Sequence, residues 1–263
     1  MEISGATVLL TGATGGIGHA IARALNARGG ELILSGRRAD VLEPLAQECN
    51  ARSLAVDLSD PAEVDRLVRE AGRVDILVAN AALPASGTLD SFSAQQIDRA
   101  LDVNLRAPIM LSHALSPAMV AARSGHIVFI SSLAGKAASA GAALYNATKF
   151  GLRGFASALR ADLRDDGVGV SAVFPGFISD AGMFADSGAE LPRGVGTRSP
   201  EDVAGAVVSA IERDRGEVDV APLAMRVSAT FAGIAPETAA RMARRLGGEE
   251  LSAQIGSGQA EKR

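Results

Sequence analysis

Short apolar runs alternate with stretches of helical spacing along most of this chain, and few architectures accept that order. Ala6–Leu10 (ATVLL) ends in Thr-Gly and gives way to a helical segment over Ile17–Ala27. Leu32–Ser35, Ser53–Val56, Asp75–Ala79, His126–Ile130 and Val168–Phe174 repeat the apolar signature, and Glu217–Val220 supplies a seventh run. Between them lie helical patterns at Ala39–Asn50, Pro61–Ala71, Ala94–Arg123 and Ala142–Arg164. Strands that are apolar on both faces belong in a parallel sheet covered by helices on each side. Right-handed crossovers then leave a doubly wound, three-layer α/β sandwich built on a seven-stranded parallel sheet. Gly176–Arg198 reads as an irregular loop. Ser199-Pro200-Glu201-Asp202 opens a further helix, with Ser as N-cap and acids at its positive end. After Ala221 the pattern decays, apart from an amphipathic stretch at Glu237–Leu246, and Gly256–Arg263 is expected to fray.

With 263 residues, 48% of them hydrophobic, the chain can bury one large core. Residues 1–220 are read as one domain, with a loop at about 177–199 facing the substrate. Residues 221–263 are read as a helical extension of it. A net charge of −4 argues against nucleic acid or an anionic membrane as partner. No apolar run is long enough to span a bilayer, no leader precedes the first strand, and the single Cys49 has no internal disulfide partner. A cytoplasmic location is expected.

The first chemical feature is Thr11-Gly12-Ala13-Thr14-Gly15-Gly16-Ile17-Gly18, between the first strand and the first helix. Glycines let the backbone approach a pyrophosphate, and the helix start offers unpaired N–H groups and a positive dipole end. An ordinary tight turn would also use glycine; its place after the first strand favours a dinucleotide. The second strand ends in Ser35-Gly36-Arg37-Arg38, with no acid to accept bonds from an adenosine ribose. Arginine there accommodates a 2′-phosphate, which favours NADP(H) over NAD(H), with Arg37 as clamp and Arg38 or His19 assisting. Asp57 after the third strand could bond the adenine amino group or cap the following helix.

Tyr145 is the only tyrosine, and Lys149, one of three lysines among 26 basic residues, follows it by one helical turn. A phenol titrates near 10, and a neighbouring ammonium with a positive nicotinamide would draw that value down towards neutrality. Lysine suits the task as a compact charge that can also reach ribose hydroxyls. A surface Tyr–Lys pair is the ordinary alternative. Ser131 and Ser132 at the end of the fifth strand place the pair where ligands bind in open α/β sheets.

In order, TGATGGIG (11–18), Asp57-Leu58, Asn80-Ala81-Ala82, Asn104 in DVNL, Ser132 in ISSLAG, YNATK (145–149) and Pro175-Gly176-Phe177-Ile178 resemble the short-chain dehydrogenase/reductase family over residues 5 to about 220. The resemblance implies a Rossmann-type fold and NADP(H)-dependent interconversion of a carbonyl and an alcohol. It implies that Tyr145 is the general acid/base, that Lys149 tunes it and binds the nicotinamide ribose, and that Ser132 orients the substrate oxygen. Asn104 would hold a water linking Lys149 to solvent, helped by Pro108, which disturbs the helix around it. Cofactor contacts would come from Gly12, Thr14, Gly15, Gly16, Ile17, Gly18, Arg37, Arg38, Asp57, Leu58, Asn80, Ala81, Tyr145, Lys149, Pro175, Gly176 and Ile178. No residue is assigned to a metal. Asp180 replaces the usual threonine after this last segment, so it should point away from the phosphates or yield to Ser179. The resemblance also implies a homodimer or homotetramer built on the helical stretches 94–123 and 142–164.

The expected pocket walls, Leu83–Thr88, Leu133–Gly141 and Phe177–Arg198, are mostly apolar. They favour an apolar ketone, aldehyde, secondary alcohol or 3-oxoacyl-type substrate. Arg193 and Arg198 could meet an anionic head group, but are read first as solvent-exposed. The tail 222–246 could cap this site, extend a subunit contact or lie on a membrane. A non-catalytic NADP(H)-binding regulator or scaffold is the alternative function, and it could dispense with part of the set Asn104, Ser132, Tyr145 and Lys149.

Overall fold

A computed structural model describes residues 1–191, 195–245 and 248–259. Seven parallel strands form one sheet in the order β3-β2-β1-β4-β5-β6-β7. They are β1 (Thr7–Leu10), β2 (Glu31–Gly36), β3 (Arg52–Ala55), β4 (Ile76–Ala79), β5 (Gly125–Ile130), β6 (Val168–Pro175) and β7 (Glu217–Val220). Strand order reverses direction between β1 and β4, which opens a crevice at the carboxyl ends of those strands.

Alternate side chains of each inner strand enter two separate cores. Val8, Leu10, Ile76, Val78, Val128 and Ile130 face one layer, which contains α1 (Gly16–Asn26), α2 (Ala39–Glu48) and α8 (Pro200–Glu212). Leu9, Leu77, Ile127 and Phe129 face the other, made by α3 (Pro61–Ala71), α5 (Ala107–Ala122) and α6 (Ala143–Leu163). Phe129 is wholly buried and meets Phe155 of α6 edge to face, with ring centroids 5.7 Å apart. Period-two burial on both faces explains why these strands read as unbroken apolar runs.

Several boundaries differ from those expected. The third strand lies one residue earlier than Ser53–Val56. The helical stretch 94–123 divides into α4 (Ala94–Leu101), a widened π turn at Asp102–Arg106 and α5. Pro108, in the first turn of α5, lacks the N–H that regular helical bonding would need, which accounts for the break. The loop after β6 contains α7 (Gly182–Ala185) and a bridge between Ile178 and Arg198. Beyond β7 the chain is more ordered than its sequence pattern implied, with α9 (Leu223–Ile234), α10 (Pro236–Arg245) and α11 (Gly248–Gly258). Only Ala229 of α9 is buried, so that helix shows little of the periodicity that marks a core face. The frayed end expected at Gly256–Arg263 is corrected in part: Gly256 and Gln259 are buried, while 260–263 lie outside the described residues, as does Arg193. Among the described residues no helix is long and apolar enough to cross a membrane.

Candidate active site

The glycine-rich turn is built on close backbone approaches. Gly12 adopts φ 66°, and a Cβ there would lie 2.6 Å from Ala81 Cα; one on Gly18 would collide with the Gly12 carbonyl. The Gly12→Ala variant is expected to lose about 1–3 kcal/mol of stability through left-handed strain alone, read as a lower melting temperature. Helix α1 begins at this turn with Gly15 as N-cap, no side-chain cap and no acid in its first turn. By contrast, α3, α4 and α8 are capped by Asp60, Ser93 and Ser199. The orphan N–H groups of α1 therefore suit a phosphate, and this donor set fits a dinucleotide's pyrophosphate.

Around the turn, Asn80 acts as a strap. Its Nδ2 donates to the carbonyls of Thr11 (3.1 Å) and Gly12 (3.0 Å), while the Asn80 and Ala81 amides donate to Thr11 Oγ1. Its side-chain nitrogen is thus committed to the loop that Ala81 and the turn share. Arg38 likewise fixes the turn, donating through Nη2 to the Thr14 carbonyl at 2.7 Å. Arg37 is exposed and acts through space on Asp57. Asp57 Oδ1 accepts from the Ser59 amide and hydroxyl, and Oδ2 accepts from Arg99. Burial raises its carboxyl, but these bonds outweigh burial and hold it below the ordinary value. The cap of α3 is Asp60, not Asp57. Leu58 is buried beside these groups, and His19 Nε2 is buried with no partner among the described residues.

Across the crevice, the carboxyl end of β5 delivers Ser131 and Ser132. Ser131 is buried and donates to the Lys149 carbonyl at 3.2 Å, a structural role. Ser132 Oγ accepts from the Ala134 amide at 3.2 Å, donates to the Pro175 carbonyl at 3.4 Å, and stands close enough to the Tyr145 phenol to draw its pKa down. Lys149, 2% exposed, donates from Nζ to the Ile130 carbonyl at 3.0 Å, and Nζ lies 5.7 Å from the Tyr145 ring centre. Burial lowers the ammonium to about 8 and raises the phenol above its ordinary value, while Ser132 acts in the opposite direction on the phenol. Protein groups alone thus leave Tyr145 protonated at neutral pH. The lowering expected from Lys149 needs a further positive charge next to the ring.

Asn104 sits in the π turn, 1% exposed, and its amide holds Leu83 from both sides: Oδ1 accepts from the Leu83 amide at 2.6 Å and Nδ2 donates to its carbonyl at 2.9 Å. With the side chain so occupied, any water there falls to backbone carbonyls loosened by the widened turn. Asn146 was not among the residues singled out from sequence. Its Nδ2 donates to Ala134 (2.6 Å) and Ala137 (3.2 Å), and its Oδ1 accepts from Ser139, so it fastens one pocket wall to α6. A buried amide between Tyr145 and Lys149 was the available signal.

Pro175 ends β6, the Gly176 amide donates to Val220, and Ile178 is 3% exposed. Asp180 is exposed at φ 63°, and Ala181 instead lies over Gly16, leaving no room for a side chain on that glycine. A concavity of about 780 Å³ lined by Met1, His126, Arg160 and Asp214 opens at the amino ends of β5 and β6, away from Ser132. Arg160 there is paired with Asp214, and neutral His126 is bonded to Ser171.

The sequence profile described as short chain dehydrogenase matches residues 6–191. The chain belongs to the short-chain dehydrogenase/reductase family. Among curated relatives, Ketoacyl reductase HetN of Nostoc sp. is 37% identical over 83% of this chain and 79% of that protein. Dehydrogenase/reductase SDR family member 7B of Xenopus laevis is 33% identical over 89% of this chain and 79% of that protein. Among solved structures, a short-chain dehydrogenase from Sphingobium yanoikuyae in complex with NADPH superposes with a TM-score of 0.77 at 28% identity, covering 89% of this chain and 95% of that one. The 3-ketoacyl-(acyl-carrier-protein) reductase from Brucella melitensis complexed with NADH gives 0.74 at 26% identity, covering 83% of this chain and 97% of that one. This member of the family is accordingly an NAD(P)-linked oxidoreductase that interconverts carbonyl and alcohol groups.

Proposed function

We propose that the protein is an NADP(H)-dependent carbonyl reductase in which Tyr145 is the proton donor, acting on an apolar ketone, aldehyde or 3-oxoacyl-type compound. The observation that carries this reading is the placing of Ser132 beside the only phenol of the chain, with a buried lysine one turn further along the same helix. Bound NADPH would supply the hydride to the carbonyl carbon. Ser132 and Tyr145 would both donate to the carbonyl oxygen, and Tyr145 would pass its proton to the developing alkoxide. A phenol held in its protonated form is the competent acid for this direction. Lys149 would bond the nicotinamide ribose and resupply the proton, with the carbonyls of the π turn at Asn104 holding the connecting water. A cytoplasmic, homo-oligomeric enzyme is part of the same reading, with residues 1–220 as its catalytic domain.

The cofactor would lie along Gly12, Thr14, Gly15, Gly16, Ile17 and Gly18, with Arg37 facing a 2′-phosphate and Ala81, Pro175, Gly176 and Ile178 lining its length. Arg37→Ala is expected to cut kcat/KM for NADPH about 10- to 100-fold, the worth of a charge-assisted hydrogen bond of about 1.5–3 kcal/mol, and to leave NADH nearly unchanged. Steady-state rates with both cofactors on a panel of ketones, aldehydes and 3-oxoacyl thioesters test this. NADH preferred by the unmodified enzyme would refute the Arg37 argument. NADPH binding with no turnover of any carbonyl would favour the regulator.

A further inference from the structure

Three loops frame the reaction centre: 83–88 after β4, 133–141 after β5 and 177–191 after β6. Helix α11 touches all three. Its inward face consists of Leu251, Ser252, Ile255 and Gly256, continued by Gln259, all buried or half-buried, while Glu250, Ala253, Gln254, Ser257 and Gly258 are exposed. Gly256 packs on Gly87, where an added Cβ would stand 3.2 Å from Gly87 Cα. Ser252 meets Gly141, and the backbone at Gly258 lies so close to the Ser187 carbonyl that any side chain would collide with it. Gln259 Nε2 donates to the Met183 carbonyl at 2.9 Å, and Gln254 Oε1 accepts from the Glu190 amide at 3.4 Å. The first loop is also tied to the second, since the Gly87 amide donates to Gly141 at 2.7 Å. Glycine at 256 and 258 is what permits this depth of contact.

We infer that α11 is the specificity-determining roof of the substrate pocket, and that it selects compact free carbonyl compounds over the same group tethered to a carrier protein. A tethered substrate needs a folded domain docked at the mouth while its arm reaches the reacting carbon. Here the helix bridges the three loops of that mouth. The Brucella carrier-protein reductase is matched over nearly its whole length and still leaves a remainder of this chain about the size of the segment after β7. This inference rests on the carbonyl-reductase reading of Ser132, Tyr145 and Lys149.

The test uses the full-length chain, with Gly258→Leu and Gly256→Leu to lift the helix and exposed Ala253→Leu as control. kcat/KM is measured for one 3-oxoacyl group as a free short thioester and on its carrier protein, alongside NADPH binding. The unmodified enzyme should favour the free thioester by at least about tenfold, and either glycine variant should shrink that preference at least about fivefold with NADPH affinity retained. Equal use of both substrates by the unmodified enzyme, or a preference unmoved by both glycine variants, would overturn the inference. If the enzyme binds NADPH but reduces neither, the carbonyl-reductase reading has failed instead. The roof is then judged by amide exchange at residues 86–88 and 183–190, which Gly258→Leu should accelerate and Ala253→Leu should not; equal exchange in the two variants would again overturn it.

Discussion

Phenylalanine at position 145 is expected to lower kcat for carbonyl reduction by about 10²- to 10⁴-fold, the usual worth of a positioned general acid, with NADPH affinity changed less than about threefold. Only Ser132 would remain to donate to the carbonyl oxygen, and an alkoxide would have to form without a proton to receive. Equal loss in kcat and kcat/KM is the pattern for an interaction made in the transition state. Activity of Tyr145→Phe within a few fold of the unmodified enzyme would remove the assignment. The chain offers a second, direct readout, because it holds one tyrosine and no tryptophan. Its ultraviolet titration therefore reports Tyr145 alone. The phenolate should appear only above the ordinary phenol range in the protein without ligand, since burial raises it more than Ser132 lowers it, and at lower pH once NADP+ is bound.

Lys149→Met is expected to abolish most activity and yet stabilise the protein at pH 7, by up to about 2 kcal/mol. Burial brings this ammonium from its ordinary 10.5 to about 8, so the charged form is disfavoured in the fold. At roughly 1.4 kcal/mol per unit, the folded protein carries a cost of about 3 kcal/mol for keeping it charged. Losing the charge-assisted bond to the Ile130 carbonyl returns about 1.5–3 kcal/mol of that gain. The sign fixes the pH window. The folded state binds fewer protons than the unfolded one between pH 8 and 10.5, so stability rises across that interval and is lost again as pH falls through 8. Melting curves should show the advantage of the methionine variant at pH 7 and its disappearance above pH 10.5. A methionine variant that melts lower at pH 7 would show that the Lys149 bond outweighs its desolvation.

The sheet was legible because β1, β2, β4, β5 and β6 bury both faces and have apolar runs to match. The glycine-rich turn and the pair Tyr145–Lys149 were legible because each needs particular residue types at fixed spacing. Asn146 escaped notice because its role is to accept and donate to loop backbone, which leaves no periodic mark. Asn80 showed the same limit: its motif is visible, but that its amide straps Thr11 and Gly12 depends on tertiary approach. Within the helical extension the bounds of α9 stayed illegible because its exposed Leu223, Val227 and Ile234 belong to no buried stripe, and those of α11 because its packing relies on glycine, which reads as a breaker.

The place of β1 in the sheet has a consequence for synthesis. It is flanked by β2 on one side and by β4 on the other, yet β4 follows only after two further strands and three helices have been made. At about 5–20 residues per second, a nascent chain carries the open edge of β1 for several seconds or more. Over that interval the edge shows unpaired backbone flanked by Val8, Leu9 and Leu10, all of which are fully buried once folding is complete. Ribosome-bound fragments ending before Ile76 should therefore be the species that recruit chaperones, and those extending well past Ala79 should not.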